Sequence, residues 1–130
     1  MTSEAAFKKI LPGQVRPRTV ADVMTKHVHV AGPQALFRTL GRLIKENRVG
    51  AIPIVDQQGV PIGIVSQAEL MLKGDVASDV MTSPATIVAA DTLVGEAAAL
   101  LLSKSARHLV VVDHHGRIAG IVSRSNMLRD

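Results

Sequence analysis

Several side chains in this chain of 130 residues are of types and spacings that can do chemistry. Ser66 and Ser123 each have a polar residue three positions on, Glu69 and Asn126. His27 and His29 alternate, while His114 and His115 are adjacent. Arg107, His108 and Arg124 collect positive charge late in the chain. A serine nucleophile needs a positioned base, and no pattern here supplies one. A metal needs three or four convergent ligands. The two histidine pairs fall on different elements, one on a strand face and one at a hairpin tip, so they read as surface residues and no metal site is expected. Phosphate needs positive charge or a helix N-terminus, and Arg107, His108 and Arg124 offer the first. Arg124 also fits a plain solvated residue. The chain has no Gly-rich dinucleotide fingerprint, no phosphate loop and no His-Glu-x-x-His. With no cysteine either, thiolate chemistry and disulfides are excluded. The expectation is a protein that is not an enzyme.

These residues are positioned by an internal repeat. Asp22-Val23-Met24-Thr25 recurs as Asp79-Val80-Met81-Thr82, at an offset of 57. The same offset aligns Val55-Asp56 with Val112-Asp113, Gly59 with Gly116, and Gly63-Ile64-Val65-Ser66 with Gly120-Ile121-Val122-Ser123. Residues 20–73 and 77–130 share 13 identities in 54 ungapped pairs, far above what composition gives by chance. Each half predicts a short helical turn at Asp-Val-Met-Thr, then a strand at 28–30 or 86–88. A helix follows at 34–46 or 91–104. In the first, Leu36, Leu40, Leu43 and Ile44 form one stripe. In the second, Asp91 or Thr92 is placed to cap. Next come strands at 51–55 and 60–65, copied at 108–112 and 117–122. The Asp-x-x-Gly between each pair of strands predicts a hairpin. Ser66 and Ser123 precede a last helix, where serine serves as an N-cap. The fold class is therefore α/β (α+β), as two tandem β-α-β-β-α motifs. The second long helix is apolar around most of its circumference, from Leu93 to Leu102, which predicts burial on two sides, the second against another subunit.

The ordered set resembles a tandem cystathionine-β-synthase (CBS) domain pair, or Bateman module. Its carriers are Asp22-Val23-Met24-Thr25, Ala51-Ile52-Pro53-Ile54-Val55-Asp56 and Gly63-Ile64-Val65-Ser66, with their second-half counterparts. The resemblance places motif 1 at 19–73 and motif 2 at 76–130, packed with pseudo-twofold symmetry, after a basic lead-in at 1–18. It implies a regulatory ligand sensor that binds AMP, ADP, ATP, NAD or S-adenosylmethionine in clefts between the motifs. It also implies a homodimer formed through the motif helices, and no required cofactor. The better cleft is expected from Thr86, Ile87, Val88, Arg107, His108, Leu109, Val110, Ser123, Arg124 and Asn126, with the basic residues on phosphate. The weaker one is expected from Val28, His29, Val30, Ala51, Ile52, Pro53, Ser66 and Glu69. Adenine needs an apolar slot with a few backbone polar groups. Ribose falls to Ser66 with Glu69 and to Ser123 with Asn126, where the family carries Asp as the acceptor. A structural module for oligomerisation that binds no ligand is the alternative, and in that reading both serines are helix caps.

Composition bounds these readings. Hydrophobic residues make up 47% and charged ones 20%, as in globular proteins. A chain this long buries roughly two thirds of its surface on folding. There is no transmembrane run and no secretory pattern at the polar N-terminus, so a cytoplasmic protein is expected. The net charge is +4. Lys8, Lys9, Arg16 and Arg18 against Glu4 account for +3 of it in the lead-in. With two Phe and no Trp or Tyr, stacking platforms for single-stranded nucleic acid are missing, and nucleic acid is not an expected partner.

Overall fold

The computed structural model describes residues 18–127. The expected basic lead-in at 1–18 lies, except for Arg18, outside the described residues. The first half contains α1 (Val20–Val23), α2 (Phe37–Asn47), β1 (Ala51–Val55), β2 (Pro61–Ser66) and a 3₁₀ turn at Glu69–Met71. The second contains α3 (Ala77–Val80), β3 (Ile87–Ala89), α4 (Val94–Lys104), β4 (His108–Val112), β5 (Ile118–Ser123) and α5 (Arg124–Met127).

Both hairpins form as expected. Asp56 Oδ1 accepts from the N–H groups of Gln58 and Val60, at 2.9 and 3.0 Å. Asp113 Oδ1 does the same for His115 and Arg117, at 2.8 and 3.1 Å. Gly59 and Gly116 take φ of 83° and 79° in the turns, a region in which side chains with a Cβ are strained. Ile52 of β1 pairs with Val65 of β2, and Leu109 of β4 with Val122 of β5.

Four expectations need correction. The strand at 28–30 does not form. A single parallel bridge joins Ala31 to Ile54 instead, whereas its counterpart β3 makes a ladder on β4. Prolines explain the difference. In the second half the Val110 N–H donates to the Thr86 carbonyl beside β3, whereas Pro53 at the matching place in β1 has no N–H, and Pro33 has none where the second half has Ala90. The long helices begin at Phe37 and Val94, later than expected. Neither Asp91 nor Thr92 caps α4. Glu96 reaches back to the N–H of Leu93 at 3.2 Å. Leu36 therefore sits at an N-cap and is 47% exposed, while Leu40 and Ile44 carry the buried stripe. After Ser66, the last helix of the first half shrinks to the 3₁₀ turn.

The cores do not follow the borders of the repeat. One cluster joins Leu40, Ile44, Ile52, Ile54 and Val65 to Ala77 and Val80 of α3. The other joins Val88, Ala97, Leu101, Leu109, Val111 and Val122 to Val20 of α1. Each half thus lends its first helix to the other. The exchange is bonded symmetrically. The Val20 and Ala21 N–H groups donate to Thr92 and Ala90 carbonyls, as Ala77 and Ser78 donate to Ala35 and Pro33. Thr25 exchanges both backbone bonds with Ile121, and Thr82 does so with Ile64. Volume is traded between equivalent sites: Leu40 and Ala77 in one core correspond to Ala97 and Val20 in the other. Such volume-conserving swaps keep a core close-packed.

Candidate functional site

Exchange of the first helices forces two crossings of the seam. The chain leaves Thr82 on β2 of one unit and reaches Ile87 on β4 of the other. It also leaves Thr25 on β5 and reaches Ala31 on β1. Each crossing overlies a cleft, and the two clefts are related by the repeat offset.

The first, the Glu69 cleft, is a cavity of about 230 Å³. Its walls are Ile64, Ser66, Ala68, Glu69, Thr82, Pro84, Thr86, Lys104, Ser105, Ala106, Arg107 and His108. It opens, through Arg107 and His108, on an outer groove of about 510 Å³ that also holds Ser123 and Arg124. The second, the Asn126 cleft, measures about 570 Å³. It is lined by Thr25, His27, Val28, His29, Asn47, Arg48, Val49, Gly50, Ala51, His108, Ile121, Ser123, Ser125 and Asn126.

The sequence reading gave each cleft the serine pair of its own half, and the structure exchanges them. Ser66 and Glu69 complete the cleft of Thr86, Arg107 and His108, while Ser123 and Asn126 complete that of Val28, His29 and Ala51. The cause is the crossing, which lays each segment after Asp-Val-Met-Thr along the hairpin of the opposite half. Other expected wall residues are displaced. Ile52, Pro53, Leu109 and Val110 are fully buried, and Val88 is in the core, because both faces of the central strands are covered. Val30 lines a separate surface groove beside Gln57, and Ile87 projects to solvent. Arg124 faces the outer groove rather than the cleft itself.

In the Glu69 cleft, Glu69 Oε1 accepts from both the N–H and the Oγ of Ser66, each at 2.6 Å. Its Oε2 accepts from Thr82 Oγ1 at 3.1 Å. Burial raises the pKa of this carboxyl, yet the Ser66 and Thr82 hydrogen bonds together hold it below the ordinary glutamate value. Ser66 Oγ in turn accepts from Ala68 N–H at 3.3 Å, but the N-cap of the 3₁₀ turn is Ala68 and not the expected Ser66. His108 stands at the seam and contributes to both clefts. A Cβ on Gly50 would lie 2.9 Å from its Nε2, so the ring occupies the space that the glycine leaves. Burial pushes the His108 pKa down; the Glu69 carboxylate opposes this and Arg107 adds to it. His108 is therefore held toward the neutral imidazole, and Arg107 and Lys104 supply the positive charge of this cleft.

Asn126 is bound differently. Its Oδ1 accepts from the N–H and the Oγ of Ser123, both at 2.9 Å. Its Nδ2 donates to the Val23 carbonyl across the exchanged helix, at 3.1 Å. The residue is only 5% exposed. His27 and His29, read as residues of one strand face, lie on a segment without a strand but still share this cleft. Among the described residues no cluster of three or more His, Asp or Glu is placed to hold a metal.

Sequence reading missed Thr82, Lys104, Asn47 and Arg48. A signal for Thr82 was present, since the repeated Asp-Val-Met-Thr ends on it. Arg48 and Ser105 were visible only as the ends of helical patterns; both cap their helices in the left-handed region, at φ of 53° and 52°.

The CBS domain family model matches residues 20–73 and 76–130. Crystal structures of CBSX2, a CBS-pair protein of Arabidopsis thaliana, are similar to this chain. One has 30% sequence identity and a TM-score of 0.79, covering 87% of this chain and 93% of that one. The other, CBSX2 in complex with AMP, has 32% identity and a TM-score of 0.78, covering 85% and 93%. An uncharacterised protein of Methanopyrus kandleri is 28% identical over 88% of this chain. The chain spans 63% of that relative's length.

Proposed function

The chain belongs to the CBS-domain family, with the domain present twice in tandem, and from that premise we propose a regulatory module that binds an adenosine-containing ligand in the Glu69 cleft. One observation carries the assignment to this cleft: an ionised carboxylate and a fixed cation, Glu69 and Arg107, line the same cavity. A carboxylate has about four lone-pair sites, and three of those on Glu69 are in use. Oε2, which takes only the Thr82 hydroxyl among the neighbouring side chains, is the oxygen offered to a ribose hydroxyl. Ile64, Ala68 and Ala106 give an apolar wall for a base, and the phosphate leaves toward Arg107, His108 and the outer groove. AMP in the CBSX2 complex supports the ligand class. The hydroxyls of Ser66 and Thr82 donate to Glu69, but a carboxylate whose pKa is held below the ordinary value is a weak base toward them, so the module is read as acting by binding and not by catalysis. The ligand shifts the packing of the two units by its differential affinity for their arrangements.

The module also pairs with a second copy. Leu102 on α4 is 71% exposed, and Met71 at the end of the 3₁₀ turn is 85% exposed. Apolar surface of this kind supports a homodimer through the helices. No helix among the described residues is long and apolar enough to cross a membrane.

Calorimetric titration with AMP tests the reading. It expects saturable binding and a higher melting temperature, since a ligand at about 100 times its Kd adds about 2.7 kcal/mol to stability. The double variant Arg107→Ala/His108→Ala should weaken AMP more than adenosine. No heat and no thermal shift with AMP, ATP, NAD or S-adenosylmethionine would leave the structural module in its place.

A further inference from the structure

The internal repeat supplies a built-in comparison, because the two clefts descend from one design and differ at matched positions. Where the Glu69 cleft has Pro84, Thr86 and Ser105, the Asn126 cleft has His27, His29 and Arg48, and where the first has Lys104 and Arg107 beside its carboxylate, the second has Asn47 and Gly50. Where the first has a carboxylate, the second has the amide of Asn126. His108 adds a third imidazole from the seam, and no Asp or Glu lines this cavity. Among the described residues, the side chains of His27, His29 and Arg48 make no hydrogen bond or ion pair. We propose that the Asn126 cleft is a separate site for a compact polyanion of the phosphate or carboxylate class, and not a second nucleoside site.

Donor chemistry favours the anion. Arg48 is a permanent cation with a planar fork of N–H groups suited to phosphate and carboxylate oxygens. Each imidazole presents an N–H in either protonation state. Asn47 adds a neutral donor, the N–H that its bond to the Leu43 carbonyl leaves over, whereas Ser125 Oγ donates to Ser123 Oγ. The cavity of about 570 Å³ lies within the range of small-molecule sites. Acceptor chemistry disfavours the nucleoside. An amide oxygen has two lone pairs, and on Asn126 both are taken by Ser123. The bond from Nδ2 to the Val23 carbonyl fixes the amide in that orientation, so Oδ1 cannot turn to a ribose hydroxyl. The inference does not depend on what the Glu69 cleft binds.

Calorimetry on the full chain tests it, with inorganic pyrophosphate and citrate as probes, each titrated with and without saturating AMP. The expected result is one equivalent of probe, both without AMP and in its presence. Binding of pyrophosphate alone names phosphate as the class, binding of citrate alone names carboxylate, and binding of both shows a site that selects for charge. His29→Gln and Arg48→Asn should each weaken the probe by about tenfold, the loss of one charge-assisted or imidazole hydrogen bond. Asn tolerates the left-handed backbone at position 48, so that variant keeps its fold, which circular dichroism verifies. Both variants should bind AMP as the parent does. Displacement of AMP one for one by the probe, two equivalents of AMP per chain, unchanged probe affinity in both variants, or no binding of either probe would overturn the proposal. Failure of AMP to bind while the probe still binds would overturn only the reading of the Glu69 cleft.

Discussion

At Glu69, desolvation and hydrogen bonding oppose each other, and the hydrogen bonds from Ser66 and Thr82 prevail. Glu69→Gln keeps the shape of the side chain and removes the charge. AMP affinity, read by calorimetry, should fall by about tenfold, the scale of one hydrogen bond to a charged acceptor. His108 gives a second prediction, in pH. Its folded pKa is depressed below 6.5, so the unfolded chain takes up a proton that the folded chain resists. Stability from this residue is complete above about pH 6.5 and is lost as the pH falls toward the lowered folded value. Melting temperature should drop over that window in the parent and drop less in His108→Gln. An equal drop in both would refute the role given to this ring. At this scale the sequence was partly legible. The types of Ser66, Glu69, Arg107 and His108 were readable as polar and cationic groups with ligand potential. The saturation of Asn126 was not, because its partner Val23 is 103 residues away and on another element.

Among the elements, Asp-Val-Met-Thr has a physical reading residue by residue. Asp22 Oδ2 accepts from the Thr19 N–H at 2.8 Å, and Asp79 Oδ2 from the Asp75 and Val76 N–H groups at 2.9 and 3.1 Å. The aspartates thus hold the first turns of α1 and α3 in place. The methionines lie on the glycines of the opposite hairpin. A Cβ on Gly63 would come within 2.6 Å of Met81 Sδ and 3.0 Å of the Thr82 carbonyl oxygen. On Gly120 it would come within 2.5 Å of Met24 Sδ and 2.9 Å of the Thr25 carbonyl oxygen. The methionine ends can shift, but the backbone oxygens are held by the Thr–Ile pairs. Gly63→Ala and Gly120→Ala should each cost about 1–3 kcal/mol in urea unfolding, as overpacking does. A change near zero for both would show that the helices do not dock there. Hairpins were legible because Asp-x-x-Gly carries its own turn chemistry. Helix starts were not, since Glu96 caps from inside α4 and leaves Asp91 and Thr92 as bystanders.

For the molecule as a whole, the repeat announced two like units, but not which first helix packs on which hairpin. Either arrangement buries the same apolar residues, so the pattern of hydrophobic positions is silent on the exchange. Lys73-Gly74-Asp75 shows only that the halves lie close together. The exchange determines the clefts: each is walled by both halves, and a ligand in one touches both units at once. That gives binding a route to altered packing, and packing a route to a partner through the helix faces. If the homodimer forms as proposed, Leu102→Lys should shift light-scattering mass from dimer to monomer without lowering secondary structure. An unchanged mass would place the interface elsewhere. The central claim is that a nucleotide is held across the seam, and a crystal structure of the chain with AMP tests it most directly. The account predicts the ribose hydroxyls on Glu69 of the first half and the phosphate beside Arg107 of the second. AMP with its ribose on Asn126, or bound by residues of one half alone, would contradict it.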